Sequence, residues 1–406
     1  MSYPGRVASL FKMIGPGMAL RAFAICCRII FLLVVIPALA PTELTQYFFM
    51  VTLALVIGRL VSMGVDEDLP LRIRGNRIRA ERYTVLYFLL VALIVLTACS
   101  LAFAAWLGVV YQWHIVLLLA LVYAAQFVLG GIVRSVRVFG FEVLCNLHWG
   151  FFICVSLLLT RPNATGLALA MGMSSLATHM VVLGIVRVPV RVYRKDIALG
   201  SLAAELVRKS WSKSVSAFLM LGNLRGLVMW PQLLRPGFDL DDIAFSLMIA
   251  EVANQIGMIV VNRRYTAYCA DGQPSSAKLS NALKVSALLI VLFLAAGGLT
   301  VYAGPAIVQF VGMNLALPWT YMSMAIAANG FMVAFVLVRY SLWSSVDFSW
   351  PVFLAEVTCL CGLITMVLTT PLVVWLPALI VLFGVLFGVG ALIGAKQVKD
   401  IEASTS

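Results

Sequence analysis

Charge is scarce in this chain: Asp, Glu, Lys and Arg make up only 11% of the 406 residues, while 63% are hydrophobic. A soluble domain of that length cannot hide so much apolar surface, so lipid must be the solvent for most of it. The sequence has no CxxC pair and no HExxH, and its three histidines, His114, His148 and His179, are far apart. Neither a metal site nor any other cofactor is expected. Of the eight cysteines, Cys26, Cys27, Cys99, Cys154, Cys359 and Cys361 fall inside apolar runs. There they read as small packing residues, not as a disulfide framework. No GxxxxGK[ST] loop is present, which excludes nucleotide hydrolysis by this chain. No hydrophilic stretch is long enough to form a soluble catalytic domain.

The apolar residues fall into twelve runs, near 17–39, 44–63, 83–107, 113–133, 142–160, 165–187, 213–233, 242–262, 283–304, 318–338, 348–370 and 372–394. Each has the roughly 20 residues needed to cross a hydrocarbon core of about 30 Å. The first is not a secretory signal: it is too long, contains arginines and lacks a small-residue cleavage site. Before it, Tyr3 to Ile14 places Val7, Leu10, Phe11 and Ile14 on one helical face, the pattern of a helix lying on the membrane surface.

The net charge of +12 does not point to nucleic acid, because the basic residues sit in every second loop. One side holds RIRGNRIRAER (72–82), RSVR (134–137), RVPVRVYRK (187–195), VRKSWSK (207–213), NRR (262–264), Lys396 and Lys399. The opposite loops hold only Arg161 and Arg235, against 23 lysines and arginines on the first side. The positive-inside rule therefore puts both termini in the cytoplasm.

Residues 187–213 are the longest hydrophilic segment, so the chain divides into an N-terminal lobe (1–190), a cytoplasmic linker (191–212) and a C-terminal lobe (213–406). The lobes share a weak repeat. PALAPTELTQYFF after the first span and PQLLRPGFDLDDIAF after the seventh both carry two prolines, an acidic residue and then an aromatic-bearing span. The helices before them hold Arg28 and Arg225. Parallel repeats about an axis along the membrane normal suit a transporter.

Intramembrane polar residues carry the functional signal. Arg28 is at the middle of its span and Arg225 close to the middle of its own, where an arginine costs about 2.5–3.5 kcal/mol on insertion scales. Each either lines a ligand cavity or pairs with an intramembrane acid such as Glu251, Glu142 or Glu356. Arg21 is seven residues before Arg28, on the same helix face about 10 Å away, near the cytoplasmic end. Arg59 reads as a snorkelling residue. Glu251, Asn254, Gln255 and Asn262 share one helix face, which suits either a lumen or hydrogen bonds between helices. Glu142 and Asn146 make a one-turn pair, while Glu356, Asn329 and Gln126 are single polar residues. His179 reads as a packed, hydrogen-bonded histidine, not a proton relay. Asp239, Asp241 and Asp242 read as N-terminal caps of the eighth span. Asn163-Ala164-Thr165 matches a glycosylation sequon in a loop too short to hold a glycan.

By motif in its first hundred residues, and by its twelve spans in two lobes over the rest, the chain resembles the prokaryotic polysaccharide flippases of the MOP superfamily, relatives of the MATE exporters. The resemblance rests on the amphipathic start, on LAPTELTQYFF, and on LVSMGVDEDLPLRIRG closing the second span. Pro41, Glu43, Tyr47, Gly64 and the 72–82 basic loop fill the family outline, with Thr45 and Gln46 where a glycine beside the tyrosine is usual. The resemblance implies an all-α polytopic fold, about twelve transmembrane helices in two six-helix lobes around a central cavity. It also implies a non-enzymatic function in the bacterial inner membrane: flipping an undecaprenyl-pyrophosphate-linked oligosaccharide from the cytoplasmic to the periplasmic leaflet. On that reading Arg28, Arg225, Arg21, Asn223 and Asn254 contact substrate, the arginines offering forked donors to pyrophosphate. Glu251, Glu356 and Glu142 are the carboxylates for proton or sodium coupling. The implied partners are the lipid-linked oligosaccharide, membrane lipid, and polysaccharide polymerase and co-polymerase proteins.

Three alternatives compete. A MATE-type exporter of cations should hold membrane-embedded acids without facing arginines. A polysaccharide polymerase or ligase should carry a large outer loop with catalytic arginine or histidine, and no such loop is present. A scaffolding subunit would have no need of buried arginines.

Overall fold

The computed structural model describes residue 17 and residues 19–62, 77–108, 112–136, 138–186, 199–234, 239–270, 274–310, 318–344 and 349–405. Every regular element among the described residues is helical. Lipid dictates this outcome, since only a helix or a closed barrel satisfies the backbone within the apolar core. The helices are α1 (Ala19–Ala38), α2 (Glu43–Val61), α3 (Arg77–Trp106), α4 (Gln112–Val136), α5 (Val138–Leu158), α6 (Ala164–Val186), α7 (Leu199–Leu224), α8 (Gly226–Leu234), α9 (Asp241–Ala270), α10 (Ser275–Phe310), α11 (Trp319–Trp343), α12 (Trp350–Thr369) and α13 (Trp375–Thr405). A 3-10 turn at Leu372–Val374 leads into α13. Among the described residues, eleven helices are long and apolar enough to cross a membrane.

The expected seventh span, 213–233, accounts for the difference from twelve. It is broken at Arg225 into α7 and α8. Residues 199–212, read from the sequence as linker, form the first half of α7. Several other helices outrun their apolar cores: α9 and α10 begin or end well beyond the expected 242–262 and 283–304. Hydropathy stops at the first charges, whereas helical hydrogen bonding continues past the membrane edge. The amphipathic start at 3–14, Gly64, residues 72–76 of the basic loop and the basic run 187–195 lie outside the described residues.

The chain forms two compact units, Met1–Phe218 and Leu219–Ser406, with the boundary inside α7. In the first unit α4 packs against α2, α3, α5 and α6. Its inward residues Leu121, Val128, Leu129, Ile132 and Val133 join Tyr87 and Leu90 of α3, Leu144 of α5 and Val182 of α6 in one core. The helices α2 and α4 touch at Gly58, where an added Cβ would lie 2.9 Å from the Ala120 carbonyl oxygen. Between α1 and α2 the chain turns at Thr42, whose φ of 70° is the one positive value at a non-glycine among the described residues. Glu43, just after it, accepts the Ala164 N–H at 2.5 Å. The carboxylate thereby faces the positive end of α6.

In the second unit α11 is the central helix, packed against α9, α10 and α13, while α12 packs against α8 and α13. Buried faces of α11 run nearly its full length, from Met322 to Trp343. A helix apolar all round and enclosed by others is what such a sequence requires.

Candidate functional site

Within the first unit, α1 and α5 meet along a graded seam. At one end the Arg21 guanidinium donates to both Glu142 oxygens, Nε at 2.6 Å and Nη2 at 2.5 Å. Asn146, one turn on, donates to the Glu142 backbone carbonyl at 2.8 Å and to its carboxylate at 3.3 Å. Two turns along α1, the Arg28 guanidinium carbon sits 4.2 Å from the Trp149 ring centroid. Beyond it, Phe31 packs on Phe152 at 5.0 Å and on Tyr47 at 5.7 Å. The seven-residue spacing of Arg21 and Arg28 keeps both on this face. Cation–π attraction strengthens as the cation loses water, so Trp149 is a suitable rest for a mid-membrane guanidinium.

The helix changes character immediately past Arg28. Phe31–Val35 form a π turn and Ile36–Ala38 a 3-10 turn. Pro37 has no N–H to give the carbonyl four residues back, which is the local cause of this loosening. Such turns occur often at functional sites.

The second unit places its arginine at an irregularity too. Arg225 is the joint between α7 and α8. Its N–H still reaches the Leu221 carbonyl at 3.0 Å, but the N–H groups of Val228 and Met229 both turn to the Arg225 carbonyl at 3.3 Å. The Trp230 indole donates to the Gly222 carbonyl at 3.2 Å, satisfying an acceptor at the break. Gly226 permits the close packing: a Cβ there would lie 2.4 Å from Leu363 and 2.8 Å from the Trp230 ring. Pro231 follows within α8.

The Arg225 side chain crosses to α9. Its Nε lies 2.6 Å and its Nη2 2.7 Å from the Glu251 oxygens, with both side chains partly open. The intramembrane pairing read from the sequence as one of two options for Arg225 is the one formed here. Asn254, one turn along α9, is partly buried and its Oδ1 lacks a hydrogen-bond partner. Gln255 and Asn262 are likewise half-buried.

A third pair was missed in the sequence. Arg339 of α11 and Glu356 of α12 are both 0% exposed and meet at 3.1 Å. Arg339 also donates to the Met220 sulfur at 3.4 Å and lies 4.4 Å from the Trp343 ring centroid. Asn223 donates to the Glu356 backbone carbonyl at 3.3 Å. The signal was present: Tyr340, Leu342 and Trp343 carry the apolar pattern past Arg339.

The remaining candidates divide simply. Arg59 lies 3.9 Å from the Phe127 ring centroid, and its carbonyl accepts from Ser62 and Ser214. Gln126 accepts from Ser175 at 2.7 Å, and Asn329 bonds back to Ala325 of its own helix. The Asn163 side chain accepts the Gly166 N–H at 2.7 Å, making it an N-terminal cap of α6. Asp239 accepts from the Asp241 N–H at the start of α9. His179 is packed beside Tyr87, with ring centroids 5.9 Å apart, but neither of its ring nitrogens has a hydrogen-bond partner. No cluster of three or more His, Cys, Asp or Glu side chains suited to a metal occurs among the described residues.

No protein-family model matches the chain, and no curated protein sequence does. Solved structures do resemble it. A multidrug resistance MATE-family transporter of the MOP superfamily in its outward-facing conformation superposes with a TM-score of 0.65 at 13% identity, over 96% of this chain and 94% of that one. The inward-facing conformation of a MATE-family transporter gives a TM-score of 0.61 at 13% identity, over 95% and 96%. A MATE crystallised with MaD3S gives 0.57 at 14% identity, over 96% and 94%. At such identities the likeness is one of fold, and it spans the chain from end to end.

Proposed function

We propose that the chain is a membrane transporter that moves an anionic, lipid-linked headgroup across the bilayer by alternating access. The preferred substrate is an undecaprenyl-pyrophosphate-linked oligosaccharide carried from the cytoplasmic to the outer leaflet, in the service of surface polysaccharide assembly. The MATE-like fold supports transport, and its relatives have been captured in outward- and inward-facing forms. The observation that carries the choice of an anion is Arg28: a mid-membrane guanidinium, partly open, resting 4.2 Å over Trp149 beside the loosened turn of α1. Pyrophosphate must lose water to cross, and a guanidinium replaces that water with forked, charge-assisted hydrogen bonds. The polyprenyl tail has no need of a protein pathway, since lipid accommodates it.

A second reading is favoured by the partly open carboxylates Glu142 and Glu251: a MATE-type exporter in which a cation displaces Arg21 or Arg225 from its acid. The two readings separate in vesicles reconstituted with the protein. The first expects leaflet transfer of a fluorescent polyprenyl-pyrophosphate lipid and none of ethidium. The second expects ethidium uptake under an imposed proton or sodium gradient. Ethidium transport without lipid transfer would overturn the first.

A further inference from the structure

Arg28 rests on the face of Trp149, and the same indole carries a donor that the chain itself leaves unused. Trp149 is 8% exposed, and its Nε1 has no hydrogen-bond partner among the described residues. A buried indole N–H nearly always has an acceptor. Those of Trp230 and Trp375 donate to the backbone carbonyls of Gly222 and Thr370. The Trp149 ring is nevertheless held firmly. Phe152 meets it edge-on at 5.5 Å, with Phe31 and Tyr47 packed on Phe152 in turn. Gly150, the next residue, lets α1 come close to α5: a Cβ there would lie 2.6 Å from the Phe23 ring. Packing fixes the indole, and its N–H plays no part in that.

A guanidinium on the ring face and an N–H in the ring plane do not compete, since the N–H points outward from the ring edge. Cation and donor belong to two layers one contact distance apart, 4.2 Å between Cζ and the ring centroid. An acceptor that serves both must be negatively charged and offer oxygens at more than one level. Glu142, two turns back along α5, is already engaged by Arg21 and Asn146. A guanidinium fork takes two oxygens of one phosphoryl group. A second phosphoryl group joined to the first brings further oxygens to the indole. A lone phosphate has its facing oxygens in the fork and brings none.

We infer that Trp149 Nε1 is a second anion donor beside Arg28, and that the two together select a pyrophosphate headgroup over a monophosphate. The inference rests on the flippase reading and names the residue that sets its headgroup preference. Arg28 supplies the charge and the fork for one phosphoryl group, and the indole N–H supplies a hydrogen bond to the other. A headgroup stripped of water inside the membrane has no solvent to replace a missing donor, so each donor weighs more there than in water. The indole carries no charge, so it contributes to selectivity and not to the attraction of anions in general. Its aromatic packing presents the N–H with little ordering left to do on binding.

The test compares leaflet transfer of two fluorescent polyprenyl lipids, a pyrophosphate and a monophosphate, in reconstituted vesicles. Wild type should prefer the pyrophosphate by about ten-fold or more. Trp149→Phe keeps an aromatic face for Arg28 and removes the N–H. A weaker cation–π rest slows both lipids alike, whereas loss of the donor falls on the pyrophosphate, so the ratio of rates should drop towards one. A second readout is NMR of 15N-tryptophan protein in lipid nanodiscs, titrated with inorganic pyrophosphate. Among the nine tryptophans, the indole signal that Trp149→Phe lacks should move downfield. Transfer of the pyrophosphate lipid with an unchanged ratio in Trp149→Phe overturns the inference and leaves the flippase reading standing. Transfer of neither lipid by wild type overturns the flippase reading, and the indole signal then decides the inference: movement supports an anion donor, and no movement overturns it. Should the variant fail to fold, equal wild-type rates for the two lipids overturn the inference and a clear preference for the pyrophosphate supports it.

Discussion

Arg339 and Glu356 illustrate how much one pair of residues can weigh in a membrane interior. Both are fully enclosed, so neither can turn to water or headgroups when its partner is lost. Removing one member of a buried pair costs about 3–5 kcal/mol, whereas replacing both by apolar groups of similar size is often neutral. Glu356→Ala should therefore lower the thermal midpoint in detergent sharply, and the double variant Arg339→Met with Glu356→Leu should recover most of the loss. Equal midpoints for wild type and Glu356→Ala would contradict this. The sequence did not single out Arg339 because it follows directly on a recognised apolar span, where a basic residue reads as a cytoplasmic flank. Arg28 and Arg225, deep inside their runs, were legible as costly. Which partner each took was not, since Trp149 and Glu251 reach them only through tertiary packing that a single sequence does not encode locally.

At the scale of elements, close approach of helices does the work that a hydrophobic driving force does in water, so small residues set the spacing. Gly58 is the clearest case. Gly58→Ala puts a methyl 2.9 Å from the Ala120 carbonyl, and a backbone atom cannot swing aside. The substitution should cost about 1–3 kcal/mol, read as a lower midpoint with unchanged helix content by circular dichroism. The break between α7 and α8 gives a second test. Trp230→Phe keeps an aromatic ring, though a smaller one, and removes the donor to Gly222, leaving that carbonyl unsatisfied at about 1–3 kcal/mol. Existence and order of the helices were readable from hydropathy, because each apolar run has no option in lipid but to form a helix. The break was not, because residues 213–233 are continuously apolar enough to read as one span, and only Gly226 and Pro231 hinted otherwise. Charged overhangs such as Arg263 and Arg264 on α9 likewise read as loop by hydropathy, although they continue the helix.

For the whole molecule, the twelve-run pattern and the all-helical fold agree with MATE-like structures that share little sequence with it. From the charge bias we propose that both ends of the chain lie on the cytoplasmic side. Fusions of a reporter that fluoresces only in the cytoplasm should be bright at either end, and a dark carboxyl-terminal fusion would refute the orientation. Substrate is the level least legible in sequence, since in the proposed function headgroup recognition would depend on a few guanidinium contacts dispersed over helices. The central claim is that Arg28 handles an anion in transit, and the rate of leaflet transfer of a fluorescent polyprenyl-pyrophosphate lipid in reconstituted vesicles tests it most directly. Loss of a charged hydrogen-bonding partner of roughly 1.5–3 kcal/mol predicts that Arg28→Ala slows transfer by about ten- to a hundred-fold, with Arg28→Lys between the two because it keeps the charge but not the fork. Wild-type transfer rates in well-folded Arg28→Ala protein would contradict the account.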